Sequence, residues 1–196
     1  MQRAGAGIIA TAWCVLTGPP SAGKTSVLAA LAARGHRIIG ETARAHIVAG
    51  GKRPAEIAAD PLLQAEMQHA IADRQHAVER ELHPDAPLFL DRALPDSIGY
   101  FRGLDLPVDT LLERARRRRY RHVFYLDGLP LTRDGLRFED ADEAASLGAR
   151  ILDAYQTLGY RPVRVPAFAD LGVEASIARR VELILRHIGG GEARSE

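Results

Sequence analysis

The chain has 196 residues, of which 46% are hydrophobic, and 26 basic against 25 acidic residues give a formal net charge of +1. This length suits one domain with a full core, the apolar fraction excludes a disordered chain, and the balanced charge argues against a dedicated nucleic-acid-binding protein. Cys14 is the only cysteine, so no intramolecular disulfide can form and a reducing cytoplasm fits. No apolar run is long enough to cross a membrane. We therefore expect one cytoplasmic domain over residues 8–188, with flexible termini at 1–7 and 189–196.

Short apolar runs alternate with helical patterns along the chain. The pattern first predicts a strand over 12–17, a helix over 23–34, a strand over 36–40, a broken helical stretch over 41–59 and a long helix over 61–82. It then predicts a strand over 88–90, helices over 95–103 and 109–120, a strand over 122–126, a loop over 128–137, a helix over 139–158, a strand over 162–165 and a helix over 172–188. This alternation favours an α/β domain with a five-stranded, mostly parallel sheet and helices on both faces.

The segment 18–25, GPPSAGKT, fits the phosphate-loop pattern G-x-x-x-x-G-K-[ST] in full. Glycines let backbone N–H groups turn inward around phosphate oxygens, and the helix that follows points its positive end at the anion. Lys24 is predicted to reach the β- and γ-phosphates, and the Thr25 hydroxyl to ligate Mg²⁺. The alternative is a chance glycine turn, but the placement between an apolar strand and a helix favours a P-loop. The predicted nucleotide-binding residues are Gly18, Pro19, Pro20, Ser21, Ala22, Gly23, Lys24, Thr25 and Ser26.

Three acidic residues follow predicted strands, at the edge where an open α/β sheet binds its ligands. Asp91 comes directly after strand 88–90 and is predicted to hold Mg²⁺, with Arg92 facing the phosphates or the acceptor. The alternative for Asp91 is a cap of the following turn. Glu41 is a candidate base that orients or deprotonates an acceptor hydroxyl, or else an acid in the first turn of a helix. Asp127 precedes a glycine, which is typical of a simple turn.

Six arginines crowd the end of the helix predicted over 109–120. Basic residues suit the C-terminus of a helix, and we interpret this cluster as a solvated face. A nucleic-acid patch and a contact with the nucleotide are the alternatives. The six are Arg114, Arg116, Arg117, Arg118, Arg119 and Arg121.

Together these motifs resemble the small bacterial AAA-type ATPases related to the ribosylnicotinamide kinase domain, within the wider group of nucleoside and nucleotide kinases. The resemblance runs from Val15 to about Leu185 and is most particular in FLDRALPDS (89–97), DGLRFE (134–139), LGY (158–160) and VRVP (163–166). It implies a P-loop NTPase fold, ATP as the donor, Mg²⁺ and a small-molecule acceptor.

The resemblance to deoxynucleoside kinases also implies roles for individual residues. In those enzymes a carboxylate after the second strand acts as base and an acid–arginine pair follows the third strand; Glu41 and the pair Asp91-Arg92 hold the similar positions. Their lid loop closes arginines over the transferred group, and Arg133 and Arg137 fall in the matching loop. The alternative for these two is a solvated loop with surface ion pairs. No base-recognition segment stands between Glu41 and Asp91, which leaves the acceptor open.

The leading hypothesis is transfer of the γ-phosphate of ATP·Mg²⁺ to a small hydroxyl-bearing, nucleoside-like acceptor. One alternative is a nucleoside triphosphatase, in which water replaces the acceptor. The other is a nucleotide-sensing module that turns ATP over slowly and depends on a protein partner. The sequence has no N-K-x-D element, which argues against a GTPase switch of the Ras type.

Overall fold

The structure is a computed structural model and describes residues 7–40, 57, 59–129 and 138–192. Its strands are β1 (Ile9–Ala10), β2 (Trp13–Thr17), β3 (Ile38–Ile39), β4 (Leu88–Asp91), β5 (Arg118–Arg119), β6 (His122–Leu126) and β7 (Val163–Val165). Its helices are α1 (Lys24–Ala33), α2 (Pro61–Glu81), α3 (Leu94–Gly103), α4 (Asp109–Ala115), α5 (Phe138–Thr157) and α6 (Val173–Glu192). Five of the strands form one parallel sheet in the order β3-β4-β2-β6-β7. The predicted α/β fold is confirmed.

The central strand β2 is buried along its whole length, which is why it reads as a continuous apolar run. Alternate side chains point to opposite faces of a strand. Cys14 and Leu16 accordingly pack in one apolar cluster with residues of α1 and α6, while Trp13 and Val15 pack in a second cluster with residues of α5. Helices therefore cover both faces, and the apolar faces of the sheet are excluded from water.

The prediction of a helix over 109–120 is wrong in its second half. The helix α4 ends at Ala115, and the arginines at 118 and 119 form the short strand β5, which pairs in parallel with β1. The pattern missed this pairing because its partner, Ile9–Ala10, lies more than a hundred residues away in the chain. The last helix, α6, continues to Glu192 instead of ending at 188. No helix among the described residues is long and apolar enough to cross a membrane.

A buried carboxyl group, that of Glu79 on α2, binds the start of α3 and Tyr120, which lies between β5 and β6. Its Oε1 accepts hydrogen bonds from Gln75 Nε2 at 3.0 Å and from the Leu94 backbone N–H at 2.8 Å, and Tyr120 Oη lies 2.8 Å from its Oε2. The residue is 2% exposed. Burial raises the pKa of this carboxyl, and the hydrogen bonds from Gln75, Leu94 and Tyr120 offset only part of that rise.

We predict that Glu79 makes the folded state less stable as the pH rises. The pKa of Glu79 in the folded chain lies above its ordinary value of 4.5, so the folded state binds this proton more tightly than the unfolded state. The resulting stabilisation is full below that ordinary value and is lost as the pH rises through the folded pKa, by at most about 1.4 kcal/mol per pH unit. The free energy of unfolding, measured in urea at a series of pH values, should decline less steeply in Glu79→Gln than in the wild type. Parallel pH profiles for the two proteins would contradict this account.

Candidate nucleotide-binding site

The loop after β2 has a backbone conformation that most residues do not readily adopt. Gly18 has a φ of +137°, and a Cβ atom there would lie 2.3 Å from the backbone oxygen of Leu126. Ser21 and Gly23 are also left-handed, with φ of 59° and 75°, and α1 begins directly afterwards at Lys24. The chain therefore turns tightly at the carboxyl edge of the sheet and directs the N-terminus of α1 toward the space above the loop.

Lys24 lies folded over this loop and is 7% exposed. Its Nζ donates to the backbone oxygen of Pro19 at 2.8 Å and to that of Gly18 at 3.4 Å. Two backbone carbonyl oxygens thus hold the ammonium group at the loop. The positive charge of Lys24 is already in place there.

Thr25 and Asp91, the two predicted metal ligands, line one cavity of about 350 Å³. Asp91 ends β4 opposite Leu16 of β2 and is 6% exposed, whereas Thr25 is exposed at the start of α1. Gly40, the residue before Glu41, lines the same cavity. A hydroxyl and a carboxylate are oxygen donors of the kind Mg²⁺ takes when substrate phosphates and waters complete its shell. The residues present therefore fit a magnesium ion.

Arg92 has a strained backbone and a buried guanidinium group beside the loop. Its φ is +67°, a left-handed conformation that is uncommon for a residue with a Cβ atom, and its N–H donates to the Leu16 oxygen at 3.0 Å. Its Nη1 donates to the Gly18 oxygen at 3.1 Å and to Asp96 Oδ1 at 2.8 Å. Such strain persists only where the surroundings hold the residue, and it is concentrated at functional sites.

Asp96, at the start of α3, provides the surroundings that hold Arg92. Besides Arg92, it accepts hydrogen bonds from Thr17 Oγ1 at 2.6 Å, from Tyr155 Oη at 2.6 Å and from the Ala93 backbone N–H at 3.1 Å. Asp96 is 3% exposed. Burial, and then the negative charge of Asp96, raise the pKa of the Tyr155 hydroxyl well above its ordinary value, so Tyr155 stays protonated as a donor.

Arg180 of α6 supports the loop from the other face of the sheet. It is 1% exposed, and burial lowers the pKa of its guanidinium group. Its three nitrogens donate to the backbone oxygens of Ala22 at 2.6 Å, Pro166 at 2.8 Å and Asp127 at 3.1 Å. One cation thus ties the P-loop to the ends of β6 and β7.

The predicted residues meet at this edge of the sheet as far as the structure describes them. The loop residues 18–26 lie there with Asp91 and Arg92, whereas the side chain of Asp127 forms an ion pair with Arg164 at 2.7 Å. Glu41, Arg133 and Arg137 lie outside the described residues, and their roles stay predictions.

Sequence reasoning missed the supporting residues Asp96, Tyr155 and Arg180. Two of them left a signal in the sequence. Asp96 stands in the first turn of the helix predicted over 95–103, only four residues after Arg92, so a carboxylate is available close to this arginine in the sequence. Arg180 stands on the apolar stripe of α6, where a cation is out of place unless it is bound.

A glycine-rich loop between a buried strand and a helix, with a lysine, a threonine and a strand-end acid around it, defines a P-loop nucleotide-binding fold. A family model described as AAA domain matches residues 13–171, and the chain belongs to this family. A comparison with curated proteins gave no match.

Solved structures with a similar fold include nucleoside kinases. A structure of deoxyadenosine kinase from M. mycoides with products dCMP and dCDP bound has a TM-score of 0.59 at 15% identity, and the match covers 91% of this chain and 98% of that one. The same enzyme with bound dATP gives a TM-score of 0.59 at 15% identity, over 90% and 98% of the two chains. NadR protein in complex with NR gives 0.66 at 15% identity, covering 92% of this chain and 51% of that one. The chain therefore has the fold of these proteins.

We predict that Asp96→Asn destabilises the protein more than Tyr155→Phe does. The asparagine replaces the carboxylate that pairs with the buried Arg92 guanidinium, and breaking a buried ion pair in this way costs about 3–5 kcal/mol. The phenylalanine removes one hydrogen bond to a carboxylate, worth about 1.5–3 kcal/mol. Urea unfolding of both variants measures the difference. Equal, small losses would show that Arg92 does not depend on Asp96.

Proposed function

We propose that this protein transfers the γ-phosphate of ATP, bound with Mg²⁺, to a small hydroxyl-bearing acceptor. The observation that carries the proposal is the grouping of Lys24, Thr25, Asp91 and Arg92 around one glycine loop at the carboxyl edge of the sheet. The nucleoside-kinase fold and the M. mycoides enzyme, whose structures hold dATP, dCMP and dCDP, support a nucleotide donor and a nucleoside-like acceptor.

The residues of the loop would bind the donor. Backbone N–H groups at the start of α1 would face the β-phosphate, and the ammonium group of Lys24, which lies at the loop, would turn toward a phosphate oxygen. Thr25 and Asp91 would hold Mg²⁺, which would supply positive charge against the phosphates. Arg92, already fixed against Gly18, would add a guanidinium to the same charge.

The chemical step would then be an in-line displacement. The bond from the acceptor oxygen to the γ-phosphorus forms as the bridging bond to the β-phosphate breaks, and the proton of the acceptor hydroxyl passes to Glu41. Arg133 and Arg137 are the proposed lid arginines that would neutralise the moving group. Because such a transition state asks for little covalent help, positioning by rigid neighbours such as Asp96 is the main contribution of the protein.

The test is the release of ADP and of free phosphate from ATP·Mg²⁺, with and without a panel of nucleosides, nucleoside monophosphates and sugars. We expect one compound to raise ADP production without an equal amount of free phosphate. Lys24→Ala should lower that rate at least about a hundredfold, because a preorganised charge at the reacting phosphates is lost.

Arg34→Ala is the matched control, since it removes one exposed cation from the end of the same helix. It should leave the rate unchanged. Free phosphate released at one rate whatever is added would replace the kinase with a triphosphatase. Near-normal turnover in Lys24→Ala would overturn the assignment of the site itself.

A further inference from the structure

A second cavity, of about 410 Å³, lies at the opposite end of the sheet from the P-loop. Its wall includes both residues of β5 and Ile8, the residue before β1. The paired strands β1 and β5 come just before the first residues of β2 and β6. The loop follows the last residue of β2, and the five residues of that strand separate the two sites by roughly 16 Å. The lining residues are Ile8, Glu113, Ala115, Arg116, Arg117, Arg118, Arg119, Leu158 and Tyr160.

Four successive arginines, 116–119, face one carboxylate, that of Glu113, around this cavity. Among the residues that the structure describes, none of these four forms an ion pair with a carboxylate, whereas Arg114 beside them pairs with Asp73. The Nε of Arg118 is buried and has no hydrogen-bond partner within the described part of the chain. An ordinary solvated face would leave such groups in water, and a buried donor without a partner costs free energy.

Two of the four arginines, Arg118 and Arg119, stack on aromatic rings. The guanidinium carbon of Arg118 lies 5.7 Å from the centre of the Trp13 ring, and that of Arg119 lies 4.1 Å from the centre of the Tyr160 ring. The hydroxyl of Tyr160 donates to the Arg118 backbone oxygen at 3.1 Å, and Arg119 donates to the backbone oxygens at 158 and 159. These contacts preorganise the guanidinium groups of Arg118 and Arg119, so a ligand need not order these two side chains.

The positive potential of this cluster reaches a neighbouring side chain. The pKa of His76 on α2 is lowered, first by burial and then by the charges of Arg114, Arg118, Arg80 and Arg117. Positive charge from Arg118 and Arg117 therefore acts on a side chain outside the cavity wall.

We propose that this cavity binds a small molecule that carries a diphosphate or triphosphate group and has an apolar part. Guanidinium groups bind phosphate oxygens with pairs of N–H donors, and a diphosphate brings about three negative charges into the space that these groups surround. Leu158, Ala115 and the Tyr160 ring form the apolar part of the lining. A cavity of this volume is in the range of small-molecule sites.

The test uses Trp13, the only tryptophan, which lies fully buried beneath Arg118. Pyrophosphate, the probe, should change its fluorescence saturably, with half of the change at or below about 1 mM. The double variant Arg116→Ala with Arg117→Ala removes two exposed guanidiniums and should weaken this response at least about tenfold. The matched control, Arg34→Ala with Arg186→Ala, removes two exposed cations elsewhere and should keep the wild-type response.

Three results would overturn the proposal. A response that survives in the double variant and disappears in Lys24→Ala would come from the P-loop. A response lost equally in the double variant and in the control would show only general attraction by positive charge. A single-stranded oligonucleotide that competes at least about tenfold more tightly than pyrophosphate would make the cluster a nucleic-acid surface. Circular dichroism of each variant, matched to the wild type, establishes that a lost response is not lost folding.

Discussion

The carboxylate of Asp96 is the constraint on which the functional edge of this protein depends. It is buried, and its two oxygens accept four hydrogen bonds, from Thr17, Arg92, Ala93 and Tyr155. A buried charge is tolerated only when it is paired and fully hydrogen-bonded. The carboxylate therefore needs all four donors, and the loss of any one of them would destabilise it. They come from the last residue of β2, from the turn after β4 and from α5. One side chain thereby fixes the relative position of the strand that enters the P-loop and the arginine beside it.

Close packing of two helices makes this arrangement possible. A Cβ atom at Gly99 of α3 would lie 2.9 Å from the Ile151 backbone of α5, so a residue with a side chain there would push the helices apart. Because α5 comes so near, the Tyr155 hydroxyl reaches Asp96 at 2.6 Å. On the opposite face of the sheet, Arg180 binds three backbone oxygens, including that of Ala22 in the loop. Buried charged side chains thus hold the loop from both faces of the sheet. The loop therefore needs little reorganisation to bind phosphates.

The features that depend on residues close together in the chain could be predicted from the sequence. The buried strand β2, the loop 18–25 and the strand-end Asp91 each have a local pattern, and the parallel sheet followed from the alternation of elements. The strand β5 could not be predicted, because its two arginines favour no strand and become one only through β1, which is distant in sequence. The roles of Asp96 and Arg180 likewise depend on partners that only the folded chain brings together. The same holds for the second cavity, where four consecutive arginines read as a solvated helix end until β5 and the rings of Trp13 and Tyr160 are seen behind them.

The central claim is that the loop, Thr25 and Asp91 together bind ATP with Mg²⁺. Calorimetric titration of ATP into the protein, with Mg²⁺ and with a chelator, tests it most directly, in the wild type and in Thr25→Val. The account predicts that Mg²⁺ tightens the binding of ATP at least about tenfold in the wild type. Thr25→Val should lose most of this gain, because it removes the hydroxyl that would ligate the ion. Equal affinity for ATP with and without Mg²⁺ in the wild type would contradict it.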